Sequence, residues 1–113
     1  MKSKISTLSQ LLASMNGQSA QIRTVQRGWL VDPNLLVEKE VHSSDRWNRP
    51  QEIAYIRALA DSFKTGRDVP PLLVEVRDGT IYILDGARRH RGALLAIAEG
   101  ARIDLIAVVE NSN

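Results

Sequence analysis

Cysteine is absent from the sequence, which removes disulfides, thiolate metal sites and any cysteine nucleophile at once and suits a reducing compartment. Aromatic residues are scarce, at 4%. A core therefore has to come from Leu, Ile, Val and Ala, with Phe63, Tyr55 and Tyr82 as occasional large fillers. No apolar run approaches the roughly 20 residues that cross a bilayer, and the N-terminus has neither the apolar stretch nor the cleavage pattern of a secretory signal. The expected location is the cytoplasm, with no membrane partner. Charge of one sign is not in excess either: 15 basic against 13 acidic residues leave a formal charge of +2, too small for nucleic-acid binding by bulk electrostatics.

What is present fits one domain. A chain of 113 residues, 43% hydrophobic and 25% charged, matches the globular average and is not the composition of a disordered segment. Ile5, Leu8, Leu11, Leu12 and Met15 fall at helical spacing before Asn16-Gly17, so residues 1–19 read as an amphipathic lead-in helix, mobile or docked on its own domain. Residues 20–113 are the domain proper. Ile22 to Val31 reads as one strand, with Val25, Trp29 and Val31 as candidates for burial, ended by the turn signal Asp32-Pro33-Asn34. Residues 35–49 have no clean period and concentrate Glu38, Glu40, His42, Asp45, Arg46 and Trp47, which points to recognition in a loop.

Asn48-Arg49-Pro50 opens the clearest helix, with Glu52 complementing its positive end and Ile53, Ile56, Leu59, Ala60 and Phe63 on one face before Gly66. The segments Leu72 to Arg77 and Thr80 to Leu84 flank Asp78-Gly79, a two-residue connection that favours an antiparallel hairpin. A helix follows over about residues 87–99, with Leu94, Leu95, Ile97 and Ala98 as its expected buried face. Ile103 to Val109 is almost wholly apolar and reads as a strand covered on both faces. The fold class expected is α+β: a small, mixed, mostly antiparallel sheet flanked by helices.

The chemistry concentrates where that last helix begins. Arg88, Arg89, His90 and Arg91 crowd a first turn that the macrodipole and the unpaired N–H groups already make positive, so each cation there costs about 0.3–1 kcal/mol. An anion is expected to offset the repulsion. Phosphate suits the spot, since exposed N–H groups, a glycine that permits close approach and guanidinium forks converge on it. The alternative is a solvated basic face with surface ion pairs. A Walker-type loop is excluded, because no Gly-x-x-x-x-Gly-Lys-Ser/Thr is present.

Ile83-Leu84-Asp85-Gly86-Ala87-Arg88-Arg89-His90-Arg91-Gly92-Ala93 resembles the Gly-Glu-Arg-Arg-x-Arg-Ala motif of ParB-type partition proteins and the Asp-Gly-x-x-Arg segment of their sulfiredoxin-like relatives. Upstream, Leu59-Ala60-Asp61-Ser62-Phe63, Gly66 and Pro71-Leu72-Leu73-Val74 are similar to the progression of the same domain. The resemblance implies a ParB/sulfiredoxin-like fold that binds CTP or ATP, with or without Mg2+. Gly86, Ala87, Arg88, Arg89, His90 and Arg91 are the implied nucleotide-binding residues. It also implies gating of DNA or a protein partner, as in plasmid partition and chromosome segregation, and is compatible with a homodimer.

Three departures bound the resemblance. Ala87 stands where the motif has glutamate and where sulfiredoxins carry their catalytic cysteine, so sulfiredoxin activity is not expected. Glu110-Asn111 is followed by Ser112-Asn113, so the second nucleotide motif, Glu-Asn-x-x-Arg, is missing. No helix-turn-helix or dimerisation segment follows, which leads to the expectation of a truncated piece or a stand-alone module, with DNA bound directly or through a region outside this chain.

An enzymatic alternative rests on Leu36-Val37-Glu38-Lys39-Glu40-Val41-His42, which resembles a stretch of relatives that phosphorylate small molecules. Glu40 is then the catalytic residue, as a base or a magnesium ligand, in a kinase, a nuclease or a slow CTPase or ATPase. The plainer alternative leaves Glu38 and Glu40 solvated. His42 has no second ligand at a diagnostic spacing, so no protein metal site is expected. Trp47 is either a base-stacking platform or a cap on the core.

Overall fold

The computed structural model describes residues 4–39 and 44–111. Along the chain come helix α1 (Leu8–Ser14), strands β1 (Ile22–Val25) and β2 (Gly28–Val31), a 3-10 turn (Pro33–Leu35) and strand β3 (Leu36–Glu38). Helices α2 (Ser44–Asn48) and α3 (Pro50–Lys64), strands β4 (Leu72–Arg77) and β5 (Thr80–Asp85), helix α4 (Ala87–Ala98) and strand β6 (Ile106–Glu110) complete it. The fold is mixed α+β, as the sequence predicts. The strands form one sheet in the order β1-β2-β6-β4-β5-β3. Pairs β1–β2, β2–β6 and β4–β5 are antiparallel, and β6–β4 and β5–β3 are parallel.

Local chemistry accounts for the elements that the sequence reading identifies. Asp78 and Gly79 both take left-handed backbone conformations, at φ 49 and 81, and so close the β4–β5 hairpin. Pro50 occupies the start of α3, Lys64 its last turn, and Gly66 follows at φ 73.

Four differences from the sequence reading have physical causes. Ile22 to Val31 is two strands, because the chain reverses at Gln26-Arg27, a pair with no strong turn signal. Gly28 permits this: a Cβ there would lie 2.7 Å from the Val108 carbonyl oxygen, so only glycine lets β2 approach β6 this closely. Strand β3, three residues long, lies in the aperiodic 35–49 segment and exists through its parallel pairing with β5. Strand β6 starts at Ile106 and alternates, with Ile106 and Val108 buried and Ala107 and Val109 exposed, so only one of its faces is covered.

The fourth difference concerns α4. Its buried residues are His90, Gly92, Ala93 and Ala96, while Leu94, Leu95 and Ile97 are half-buried and Ala98 is exposed. Helix α3 comes too close for larger groups. A Cβ on Gly92 would stand 2.7 Å from the Leu59 Cβ. Arg57, midway along α3, and Lys64, in its last turn, pair with Glu99 at the end of α4, whose carboxyl these partners hold down at about 2.

A single core joins the layers. Leu8 and Leu11 of α1, Ala93 of α4 and, at its edge, Phe63 of α3 pack on the buried side of the sheet, among Val31, Leu72, Val74, Val76, Ile81, Ile83 and Val108. Thr7 caps α1, and the Leu8 N–H donates to Glu110 Oε2 at 2.9 Å, which ties the helix to β6. The lead-in helix is thus docked on its own domain. Since Leu8 is fully buried, Leu8→Ala should cost about 2–5 kcal/mol, in the range for large-to-small core substitutions. The check is the urea midpoint of unfolding; an unchanged midpoint would mean that α1 contributes nothing to the core.

Candidate ligand cleft at the start of helix α4

Strand β5 passes into α4 through Gly86, which takes φ 118, a left-handed conformation that favours glycine. Space requires glycine as well. A Cβ at this position would lie 2.7 Å from Leu72 Cγ and 3.2 Å from Arg89 Nη2. The helix starts without a side-chain cap and without an acidic residue in its first turn. Its first backbone bond runs from the His90 N–H to the Gly86 carbonyl oxygen, at 2.9 Å, so the N–H groups of Ala87, Arg88 and Arg89 precede the helical ladder.

A hollow of two lobes opens on this helix start. The larger, about 370 Å3, is lined by Glu38, Lys39, Arg46 and the run from Ile83 to Ala87. The smaller, about 200 Å3, is lined by Arg46, Tyr55 and the run from Asp85 to Arg89. Arg46, Asp85, Gly86 and Ala87 belong to both and form the seam between them.

The basic residues of the first turn are not left facing one another. Arg88 donates from Nε and Nη2 to both carboxylate oxygens of Glu52, each at 2.7 Å, while its side chain stays 45% exposed. Arg46 Nε approaches the same carboxylate at 3.7 Å. Arg89 Nη1 donates to the carbonyl oxygens of Pro70 and Pro71 at 3.1 and 2.6 Å, and its Nη2 lies 3.6 Å from Asp85. Arg91 donates to Glu38 at 2.7 and 3.3 Å, and its guanidinium sits 3.8 Å from the centre of the Trp47 ring.

The expectation that only an outside anion offsets this charge is therefore corrected. Carboxylates of the chain itself, brought in by α3, β5 and β3, stand beside the three arginines. The Arg88 hydrogen bonds are the main reason the Glu52 carboxyl lies below its ordinary value, against the opposing effect of burial, and Glu52 in turn raises Arg88. Both groups are charged at neutral pH.

The structure divides the sequence-predicted residues into two groups. Gly86, Ala87, Arg88 and Arg89 line the cleft. His90 turns inward, where its Nε2 meets the Pro33 carbonyl oxygen at 2.7 Å and its Nδ1 is buried without a partner. Arg91 faces Glu38 and Trp47 as a partly buried strut, so Glu38 is not merely solvated. The Trp47 ring also carries Arg46 over it at 4.6 Å, so two guanidiniums stand against it, and it borders a separate apolar hollow with Ile53, Ile56, Leu94 and Leu95. Glu40 and His42 lie outside the described residues. Among the described residues no three His, Cys, Asp or Glu side chains gather as a metal site.

Lys39, Glu52, Tyr55 and Asp85 belong to the site without having been singled out for it in the sequence. Asp85 had a signal, its place beside Gly86. Glu52 had one too, in the first turn of α3, but nothing local assigns it to an arginine 36 positions away. Comparisons with family models, with curated proteins and with solved structures return no match for this chain. No helix among the described residues is long and apolar enough to cross a membrane.

His90 generates a pH test. Burial is the main reason its pKa lies below the ordinary 6.5, with the Pro33 hydrogen bond and Glu38 opposing and Arg91 reinforcing the shift. The unfolded chain therefore takes up this proton first. Stability should hold above about pH 6.5 and fall as pH drops toward the folded-state pKa, with a slope of at most about 1.4 kcal/mol per pH unit from this group. Urea titrations across pH 5–8 should show the loss in the native chain and a flatter profile in His90→Gln. Equal slopes in the two proteins would remove His90 as the cause.

Proposed function

We propose that this chain is a ParB-like nucleotide-binding domain that takes CTP or ATP in the cleft at Gly86-Ala87 and gates DNA or a protein partner by its occupancy. The observation that carries the reading is the two-lobed hollow on an uncapped helix start, with Lys39, Arg46 and Arg88 along its walls. The resemblance of residues 83–93 to the partition-protein motif points the same way, and a mixed α+β sheet is compatible with it.

The donor set fits a phosphate group. Backbone N–H groups at the first turn of α4 supply neutral donors, and Arg88, held by Glu52 through two of its nitrogens, keeps further donors. Asp85, with its side chain 78% exposed, offers the single carboxylate that a largely hydrated magnesium ion needs. Phosphate oxygens would compete with Glu52 and Asp85 for the same cations, so recognition relies on geometry more than on net positive charge.

Isothermal titration with CTP and with ATP, each with magnesium, tests the reading. Saturable heat is expected, and Arg88→Gln should weaken binding about tenfold or more, the scale of a hydrogen bond to a charged group. Absence of heat with both nucleotides would sink the proposal. Duplex DNA titrated at rising salt separates the rival in which arginines grip DNA phosphates directly: steep salt dependence without nucleotide competition is its signature.

A further inference from the structure

Among the described residues that line the cleft, Tyr55 alone carries an aromatic ring, and it lies outside the packed core. It lies in the second turn of α3 and is 54% exposed, whereas Leu59 and Ala60 of the same helix turn inward against α4. Its ring borders the smaller lobe, and the Arg88 guanidinium stands 5.4 Å from the ring centre. Trp47, another aromatic residue of this region, meets Arg46 and Arg91 and borders a different hollow, beside Ile53, Ile56, Leu94 and Leu95.

Size adds a second constraint. The smaller lobe, at about 200 Å3, has room for one heterocycle or one phosphate. A ligand that uses the whole cleft must cross the seam at Gly86-Ala87 and place chemically different parts in the two lobes. The larger lobe carries Lys39 and Glu38, while the smaller holds the Tyr55 ring with the Arg88 guanidinium over it. Aromatic and guanidinium planes stack on nucleobases without regard to base identity.

Resting on the nucleotide reading, we propose that Tyr55 is the platform for the ring of a nucleoside phosphate, so that the cleft selects phosphates bearing a planar aromatic group over oligophosphate alone. Stacking of this kind tolerates every base, so CTP and ATP differ little at Tyr55 itself.

Titration of the native chain, Tyr55→Ala and Tyr55→Phe with ATP, CTP and inorganic tripolyphosphate, all with magnesium, tests the assignment. Tyr55→Ala should weaken both nucleotides by about five- to 150-fold and leave tripolyphosphate within about twofold, while Tyr55→Phe keeps native affinity for all three. Unchanged nucleotide affinity in Tyr55→Ala overturns the platform and leaves the nucleotide site standing. Equal loss of nucleotide and tripolyphosphate also overturns it, since Tyr55 would then only hold Arg88 in place. Failure of the native chain to bind any of the three removes the nucleotide reading itself.

Discussion

The start of helix α4 is where the architecture is electrostatically constrained. Arg88, Arg89 and Arg91 occupy turns in which the helix dipole disfavours cations, and each is met by a carboxylate from another element: Glu52 of α3, Asp85 of β5 and Glu38 of β3. These contacts orient α4 against the sheet and against α3 while neutralising the charge that would otherwise resist packing. The Glu52 carboxylate, itself in the first turn of α3, serves both helix starts at once. Glu99, at the end of α4, pairs with Arg57 in the middle of α3 and with Lys64 in its last turn. The helices approach so closely that a side chain on Gly92 would collide with Leu59.

That arrangement also shapes the cleft. Arg89 is fastened to the Pro70 and Pro71 carbonyls, Arg91 to Glu38 and Trp47, and Lys39 to Glu75 at 2.7 Å, so the opening is lined by backbone N–H donors and by cations already engaged with groups of the chain, Arg88 and Arg46 at Glu52 among them. Gly86 sets the floor. Its left-handed conformation turns the chain from strand to helix, and the missing side chain leaves room for Leu72 and Arg89 beneath it. The site is therefore nearly charge-balanced and preorganised, which suits discrimination by shape and hydrogen-bond direction over capture by field strength.

Legibility in the sequence followed the range of the information. The β4–β5 hairpin rests on Asp78-Gly79, α3 on Arg49-Pro50 and Gly66, and α4 on Gly86 and Glu99-Gly100; each signal sits within a few residues of what it specifies. The β1–β2 reversal was hidden because Gln26-Arg27 is an ordinary dipeptide whose turn depends on β6 accepting Gly28. Strand β3 was hidden because three residues are too few for a period and its pairing partner is β5. For α4, the wheel chose Leu94, Leu95, Ile97 and Ala98 as the buried face, yet packing on α3 and the sheet buries Gly92, Ala93 and Ala96 together with His90.

The sequence by itself determined a cysteine-free α+β domain, the place where strand turns into basic helix, and the need for negative charge beside that helix. Those follow from composition, spacing and the dipole, all local properties. Only the tertiary structure decided where the negative charge comes from, that His90 faces inward to Pro33, and that Tyr55 stands at the rim of the cleft. Pairings such as Arg91 with Glu38, 53 positions apart, depend on how the chain crosses the sheet, and no spacing rule encodes a crossing.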